Sequence, residues 1–178
     1  MNDLDIRHAT LADVDAVLRF WREAAEGTSI SDDHDGVARL ITRDPEALLL
    51  AERDGLLAGT VIAGFDGWRC SAYRLAVHPG HRRQGVATAL LEAAERRFAA
   101  LGGRRVDAMV LEVNERAHRT WAATGYHRED HWRRWVKPLE SREPRESREP
   151  EPEPEPAPAP APAPARPPAP TRRLTAEH

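Results

Sequence analysis

Residues 73–91 combine the features that could hold an anionic phosphate group. Their sequence, YRLAVHPGHRRQGVATALL, is an apolar strand, then a basic turn with glycine, then the start of a helix. The first N–H groups of a helix have no partner within it, and the helix dipole adds partial positive charge there. Gly85 lets a ligand approach the backbone, while Arg82 and Arg83 add full positive charges. This stretch therefore predicts a site for an anion.

The glycine spacing limits which anion fits. The G-x-x-x-x-G-K-[ST] pattern of the phosphate-binding loop is absent, and so is the three-glycine fingerprint of dinucleotide-binding domains. We therefore expect a pyrophosphate-bearing ligand that is not held as ATP is held.

Glu112 is a candidate general base, because it interrupts the apolar run of residues 110–113. A carboxylate there could remove a proton from an ammonium group, directly or through water. Strand residues alternate between the two faces of a sheet, so an outward, solvated position is the alternative.

Histidine and cysteine predict no metal site. Five histidines near the basic turn and the later helix lack the spacing of a helix-borne zinc motif: His78, His81, His118, His127 and His131. The single cysteine, Cys70, excludes an intramolecular disulfide and a cysteine-cluster metal site, which fits a reducing, cytoplasmic location. No base flanks Cys70, so nothing favours a covalent intermediate on it.

The elements that must position these residues follow from hydrophobic periodicity and turn signals. Strands are predicted at residues 5–8, 47–52, 56–65, 70–77, 106–113 and 126–136. Helices are predicted after a capping box at Thr10 and Asp13 with Leu11 facing inward, around residues 37–41, over residues 86–98, and from Asn114 to Gly125. The order neither alternates strand and helix throughout nor is all-β. It favours an α/β fold with a mixed, mainly antiparallel sheet, one parallel crossover and about four flanking helices.

Proline separates a folded part from a tail. Of 15 prolines, 12 lie between Pro144 and Pro170, in a segment of Glu-Pro and Ala-Pro units with no large apolar residue. Such a segment cannot join a core. We predict one domain at residues 1–140 and a disordered, proline-rich tail at residues 141–178, which is either a solvated spacer or a partner-binding arm.

Charge and hydropathy narrow the function classes. Residues 1–140 hold 20 basic and 22 acidic side chains, a net charge of −2, so nucleic-acid binding is not expected. No stretch approaches the ~18 consecutive apolar residues of a transmembrane helix, and the polar N-terminus does not resemble a signal peptide. We therefore expect no membrane association.

Two motifs together resemble a known family. Residues 82–87, RRQGVA, are similar to the R/Q-x-x-G-x-G/A turn of the GNAT superfamily of acetyl-CoA-dependent N-acetyltransferases. A second match, to N-x-x-A-x-x-x-[YW]-x-x-x-G-[FY], is formed by Asn114, Ala117, Trp121, Gly125 and Tyr126. The resemblance covers residues 4–138 and includes the order of the elements.

The resemblance implies a cofactor site and an activity. It implies that main-chain groups of Leu75, Ala76 and Val77 pair with the pantetheine arm of acetyl-CoA. The turn would hold the pyrophosphate, and Asn114 would meet the cofactor arm. These turn residues are Arg82, Arg83, Gln84, Gly85, Val86, Ala87 and Thr88. The activity implied is transfer of the acetyl group to a primary amine of a small molecule or peptide, by direct attack in a ternary complex. No metal is implied, and a homodimer stays open.

Trp121 departs from the family pattern. Many relatives have a tyrosine there that protonates the leaving thiolate, whereas an indole N–H donates a hydrogen bond but does not give up its proton. Tyr73 and Tyr126 are more typical of packing residues than of acids. Transfer can proceed without a side-chain acid, because a thiolate is a stable leaving group. The alternative is a catalytically inactive acyl-CoA-binding module with a partner-binding tail.

The acceptor side is less defined by sequence. Asp32, Asp33 and Asp35 lie in a loop that would suit a cationic amine, with a plain solvated loop as the alternative. Four tryptophans could line an acceptor pocket, although we expect two or more of them to pack in the core: Trp21, Trp68, Trp132 and Trp135. The identity of the amine does not follow from the sequence.

Overall fold

The computed structural model describes residues 4–139. The chain divides into two units, Met1–Trp132 and Arg133–His178, and the described part of the second unit, residues 133–139, forms no helix or strand. Within residues 4–139, no helix is long and apolar enough to cross a membrane. The proposed tail at residues 141–178 lies outside the described residues and stays a prediction.

Five strands form one mixed sheet. In sheet order they are β1 (Leu4–His8), β2 (Leu48–Arg53), β3 (Leu56–Phe65), β4 (Cys70–Val77) and β5 (Val106–Ala108). The first four are antiparallel neighbours, whereas β5 pairs in parallel with β4. A turn at Asp54 and Gly55, both with positive φ, joins β2 to β3. The predicted mixed sheet with one parallel crossover is confirmed.

Four α-helices flank the sheet in the described part of the chain. They are α1 (Val14–Ala24), α2 (His34–Arg43), α3 (Val86–Ala100) and α4 (Glu115–Ala123). Short 3-10 turns precede α1 at Leu11–Asp13 and α3 at Pro79–His81. The predicted number and order of helices are confirmed.

The start of α1 differs from the prediction in one respect. The capping box is present, since the N–H of Thr10 donates to Asp13 Oδ2 at 2.7 Å. However, the 3-10 turn comes first, so α1 begins at Val14 and Leu11 is exposed rather than packed inward. Arg7 fastens this turn to the sheet, because its guanidinium donates to Asp13 at 2.8 and 2.9 Å and to Glu52 of β2 at 2.6 Å.

The core lies on both faces of the sheet. Leu48 and Leu50 of β2 pack against α1 and α2, while Leu49 and Ala51 pack against α3, as alternation along a strand requires. Gly59 in β3 lets α3 come close, since a Cβ atom there would lie 2.8 Å from Val86 Cγ1. The helix that follows the basic turn is therefore seated directly on the sheet.

The predicted strand at residues 106–113 is wrong beyond Ala108. β5 pairs with Cys70 to Ala72 of β4 and then stops. Residues 112–113 form a turn, in which the N–H of Asn114 donates to the carbonyl of Leu111 at 2.9 Å. Met109, Leu111 and Val113 are exposed, so this apolar run has no buried face that would hold it as a strand.

The predicted strand at residues 126–136 is also wrong, because no strand forms there in the described residues. Its charged side chains pair locally instead. Arg128 donates to Asp130, two residues along the chain, at 2.6 Å, and to Glu112 at 2.9 Å. A segment whose charges pair with near neighbours on the surface gains little from joining a sheet edge.

Candidate functional site

A bulge interrupts β4 in the middle of the predicted site. Thr60 lies opposite Ala76 and Ile62 opposite Tyr73, so two residues of β4, Arg74 and Leu75, face one residue of β3. Arg74 has a φ of 50°, in the left-handed region. A bulge bends its strand and increases the local twist. The end of β4 therefore turns away from the direction that β5 follows.

An open edge results on β4 beyond Ala72. On the side of β5, no strand within residues 4–139 pairs with β4 after that residue. On the other side, the N–H of His78 donates to the carbonyl of Ala58 at 2.9 Å. The alternation of antiparallel hydrogen bonds then directs the main-chain N–H and C=O of Val77 toward the open edge. This edge can accept an extended ligand as an added strand.

The turn after β4 is held by side chains at both of its ends. His78 Nδ1 accepts from the N–H of Gly80 at 3.1 Å, so the ring proton lies on Nε2, which donates to Glu23 of α1 at 3.0 Å. Gln84 donates to the carbonyl of Gly80 at 2.9 Å and accepts from Arg53 of β2. These contacts hold the turn to α1 and β2.

The N-terminus of α3 provides main-chain donors to an anion. Gly85 is its N-cap residue with a φ of 82°, and Arg83 also has a positive φ of 61°. No side chain of the described residues caps this end, so the N–H groups of Val86, Ala87 and Thr88 remain to bind a ligand. A Cβ atom on Gly85 would meet nothing within 4 Å among those residues, so the space in front of the helix is open.

The two arginines of the turn have different surroundings. Arg82 is half-buried and its Nε donates to the carbonyl of Val77 at 3.2 Å, whereas Arg83 is exposed. The structure thus brings the proposed strand, turn and helix residues together around one edge. The roles proposed for Gly85, Leu75 and Val77, through main-chain groups, and for Arg83, which is exposed, stay predictions.

The positions of Asn114 and Glu112 are set by the start of α4. Asn114 Oδ1 accepts from the N–H of Ala117 at 3.0 Å, so its side-chain carbonyl caps the helix. Glu112 lies in the exposed turn before α4, with 73% of its side chain exposed, and pairs with Arg128 at 2.9 Å. Its predicted place within a strand is wrong, because β5 ends four residues earlier. Its role as a base stays a prediction.

A cleft of about 300 Å³ opens between the end of α1 and the start of α4. Glu26 lines one wall, while Leu111, Val113 and Asn114 line the other. Glu26 carries no signal in the sequence, because an acid at a helix end is an ordinary surface residue by pattern. Glu23 carries none either, since its contact with His78 depends on the packing of α1 against the turn.

Trp121 packs against the other aromatic residue of its motif. Its ring meets that of Tyr126 edge to face, with 4.7 Å between the ring centres. The hydroxyl of Tyr126 donates to Glu95 of α3 at 3.0 Å. Burial raises the pKa of Tyr126, and the hydrogen bond to Glu95 raises it further, so the phenol stays protonated. Both residues fasten α4 to α3.

The acids and tryptophans proposed for the acceptor side separate into different roles. Asp32 binds Arg74, Asp33 caps α2 by accepting from Gly36 at 2.6 Å, and Asp35 is exposed. Trp21 is buried, whereas the other three tryptophans considered for this pocket are exposed: Trp68, Trp132 and Trp135. The prediction that two or more of the four pack in the core is wrong.

The described part of the chain contains no group of three or more His, Cys, Asp or Glu residues placed to hold a metal ion. His118, for example, contacts the carbonyl of Glu112 at 3.1 Å.

The fold and the site define a mixed α/β protein in which the bulged strand β4 has an open edge and is followed by α3, a helix with an uncapped N-terminus. The model of the acetyltransferase (GNAT) family matches residues 14–126, more than half of the chain, so the chain belongs to this family. It is an acyltransferase, as its relatives' names and this family indicate.

Individual relatives agree with this assignment. An acetyltransferase of Pectobacterium atrosepticum is 35% identical over 112 residues, which are 63% of this chain and 79% of that protein. The solved PaiA N-acetyltransferase of Thermoplasma acidophilum, in complex with coenzyme A, has a TM-score of 0.65 at 18% identity and covers 72% of this chain and 92% of its own. The aminoglycoside acetyltransferase AAC(6')-Iy, in complex with CoA-S-monomethyl-acetylneamine, has a TM-score of 0.63 at 20% identity and covers 77% and 99%.

Proposed function

We propose that this chain transfers the acetyl group of acetyl-CoA to a primary amine of a small molecule or peptide, by direct attack in a ternary complex. One observation carries the proposal: the uncapped N-terminus of α3 lies beside the open edge of β4. An anionic group and an extended arm of the same ligand can therefore be bound together.

Main-chain groups would provide most of the cofactor contacts. The first-turn amides of α3 and the amides around Gly85 would hold the pyrophosphate, and the edge from Leu75 to Val77 would pair with the pantetheine arm. Arg83 is exposed and adds positive charge. The solved relatives with coenzyme A and with a CoA-containing bisubstrate analogue support this choice of ligand.

The chemistry needs little from side chains beyond positioning. The amine nitrogen would attack the thioester carbonyl carbon, the C–S bond would break, and the sulfur would leave as a thiolate. An N–H on the open edge near Val77 would polarise the carbonyl oxygen. The proton released by the amine would go to water or to Glu112, which remains the proposed base. Tyr126 is bound to Glu95 and Trp121 carries no acidic proton, so we propose no side-chain acid.

The acceptor is proposed only as a class. The aminoglycoside-related analogue in AAC(6')-Iy and the mixed charges of the cleft beside α4 both fit an amine-bearing substrate. Nothing in the comparisons or the geometry favours the alternative of an inactive acyl-CoA-binding module.

Gly85→Glu tests the cofactor site. The new carboxylate would occupy the open space before α3 and repel a pyrophosphate, so we expect acetyl-CoA affinity to fall at least about 100-fold by calorimetry. Gly67→Glu is the matched control, because Gly67 has a φ of 92°, lies in open space and is on the β3–β4 turn.

The two variants carry comparable backbone strain, so a difference in their affinity for acetyl-CoA reflects the position of Gly85 in the cofactor site. Equal affinity of Gly85→Glu and Gly67→Glu for acetyl-CoA would refute the proposed cofactor site. Gly85→Ala adds backbone strain without charge, so its affinity for acetyl-CoA should lie between those of the wild type and Gly85→Glu.

A further inference from the structure

Arg74 has an unusual backbone for its residue type. It lies in the bulge of β4 with a φ of 50°, a conformation that glycine, asparagine and aspartate adopt far more readily than arginine does. Strained residues persist where the surrounding structure holds them, and they are frequent at functional sites. Arg74 directly precedes Leu75, the first of the residues proposed to pair with the cofactor arm.

The side chain of Arg74 binds the loop between α1 and α2. Its Nε donates to Asp32 Oδ1 at 2.9 Å, its Nη2 donates to Asp32 Oδ2, and its Nη1 donates to the carbonyl of Gly27 at 3.1 Å. Only 12% of the Arg74 side chain and 19% of the Asp32 side chain are exposed. A bidentate pair with this little exposure is held in one geometry and is weakly screened by salt.

The main chain of Arg74 is held from the opposite side. The hydroxyl of Thr60, a buried residue of β3, donates to the carbonyl of Arg74 at 2.9 Å. The indole N–H of Trp21 in α1 donates to the same hydroxyl at 2.9 Å. The bulge is therefore joined to the loop through its side chain and to α1 through its carbonyl.

The loop also meets the segment that follows β5. A Cβ atom on Gly27 would lie 3.1 Å from Leu111 Cδ1, and Leu111 lines the cleft beside α4. The loop therefore contacts the bulge of β4 through Gly27 and Asp32, and approaches the wall of that cleft at Gly27.

We propose that Arg74 and Asp32 are positioning residues that fix the α1–α2 loop to the bulge of β4. The loop then holds the wall of the cleft where the amine would bind at a fixed distance from the edge of β4 that would bind the thioester. The inference rests on the proposed acetyl transfer. Asp32 then has a structural role, because Arg74 binds both of its carboxylate oxygens. It is therefore not proposed to bind a cationic amine.

Hydrogen–deuterium exchange of the full chain, with and without acetyl-CoA, tests the inference without a known acceptor. In the wild type, we expect acetyl-CoA to slow exchange in residues 82–88 and also in residues 27–33, which it does not touch in our proposal. In Asp32→Asn, loop exchange should rise about tenfold and no longer respond to acetyl-CoA, while protection of residues 82–88 persists. In Arg74→Lys, which keeps the charge but not the paired contact, the exchange rate of the loop should lie between those of the wild type and Arg74→Gln.

Arg97→Gln is the matched control. Arg97 donates to both carboxylate oxygens of Asp44 at 2.6 Å and to the carbonyl of Ala63 at 2.7 Å, and it is buried to a similar degree as Arg74. This variant should destabilise the fold as Arg74→Gln does, yet leave the response of residues 27–33 to acetyl-CoA intact.

Kinetics provide a second readout with any amine that the wild type acetylates. Asp32→Asn should raise the KM for the amine about tenfold and change the KM for acetyl-CoA by less than about twofold. Unchanged loop exchange in Asp32→Asn, or an equal loop response to acetyl-CoA in that variant, would overturn the positioning role. A wild type that does not bind acetyl-CoA would instead refute the proposed function, and loop exchange in the free variants would still test the Arg74 contact.

Discussion

The region from β4 to α3 and the region from residue 109 to residue 132 are built in different ways. The first is held by main-chain pairing, buried apolar side chains and a largely buried ion pair between Arg74 and Asp32. The second contains no strand, and it has exposed apolar residues and an exposed ion pair between Glu112 and Arg128. Surface pairs of that kind contribute about 0–1 kcal/mol, whereas a buried pair fixes geometry.

The contrast separates the two sides of the proposed site. The proposed cofactor side uses main-chain groups on packed elements, so its geometry tolerates many side chains. The proposed acceptor side uses exposed side chains, which can change without loss of the core. Four sets of substitutions test how these and neighbouring elements are held, starting with the largest expected effect on stability.

Leu90→Ala and Val113→Ala compare the two regions directly. Leu90 of α3 is fully buried, so its truncation leaves a cavity and should lower the free energy of unfolding by about 2–5 kcal/mol. Val113 is 87% exposed, so truncation of its side chain to alanine should change that free energy by less than about 0.5 kcal/mol. Urea unfolding measures both, and similar values would mean that residues 109–132 pack as tightly as α3.

Gly59→Ala tests how closely α3 is seated on the sheet. The new methyl group would lie 2.8 Å from Val86 and 3.1 Å from the carbonyl of Ala76, so we expect a loss of about 1–3 kcal/mol in unfolding free energy. Gly64→Ala in the same strand is the control, because its nearest contact would be an ordinary 3.6 Å. Equal stability of the two variants would show that α3 can move away without cost.

Asp13→Asn tests the charged contact that fastens the start of α1. The hydrogen bonds from Arg7 are the largest cause that holds the pKa of Asp13 well below its ordinary value, with further bonds from Thr10. The stability contributed by this charge is therefore complete above the ordinary carboxyl pKa of about 4 and is lost as the pH falls below it.

The expected result is a smaller loss of stability on acidification. Between about pH 5 and pH 3, the unfolding free energy of Asp13→Asn should decrease less than that of the wild type. Asp35→Asn, which removes an exposed carboxylate, is the control for the loss of one acidic charge. If the unfolding free energies of the wild type and Asp13→Asn decreased equally with falling pH, the Arg7 contact would be contradicted.

Glu112→Gln should have the smallest effect on stability. Its pair with Arg128 is exposed, so we expect the unfolding free energy to change by less than about 1 kcal/mol. If Glu112 is the proposed base, the acetyl transfer rate should fall about 100-fold or more and its pH profile should become flat. Unchanged kinetics would remove Glu112 from the mechanism and leave water as the proton acceptor.

The sequence alone was sufficient for the elements whose cause is local. The Thr10–Asp13 capping box, the turn at Asp54 and Gly55, and the strand, glycine turn and helix around Gly85 all follow from residues within a few positions of one another. Hydrophobic periodicity placed the four helices and the first four strands for the same reason. The family resemblance rested on these local patterns, and the match to residues 14–126 confirms it.

Tertiary structure decided the features that depend on a partner distant in sequence. Whether residues 109–113 extend a strand depends on the course of β4, which is interrupted by a bulge at Arg74, so an apolar run alone could not predict it. Asp32 is engaged by an arginine 42 positions later, and Glu112 by one 16 positions later. Side-chain pattern identifies a charge, but only the packed chain determines which charge lies opposite it, because that choice depends on burial and geometry rather than on spacing.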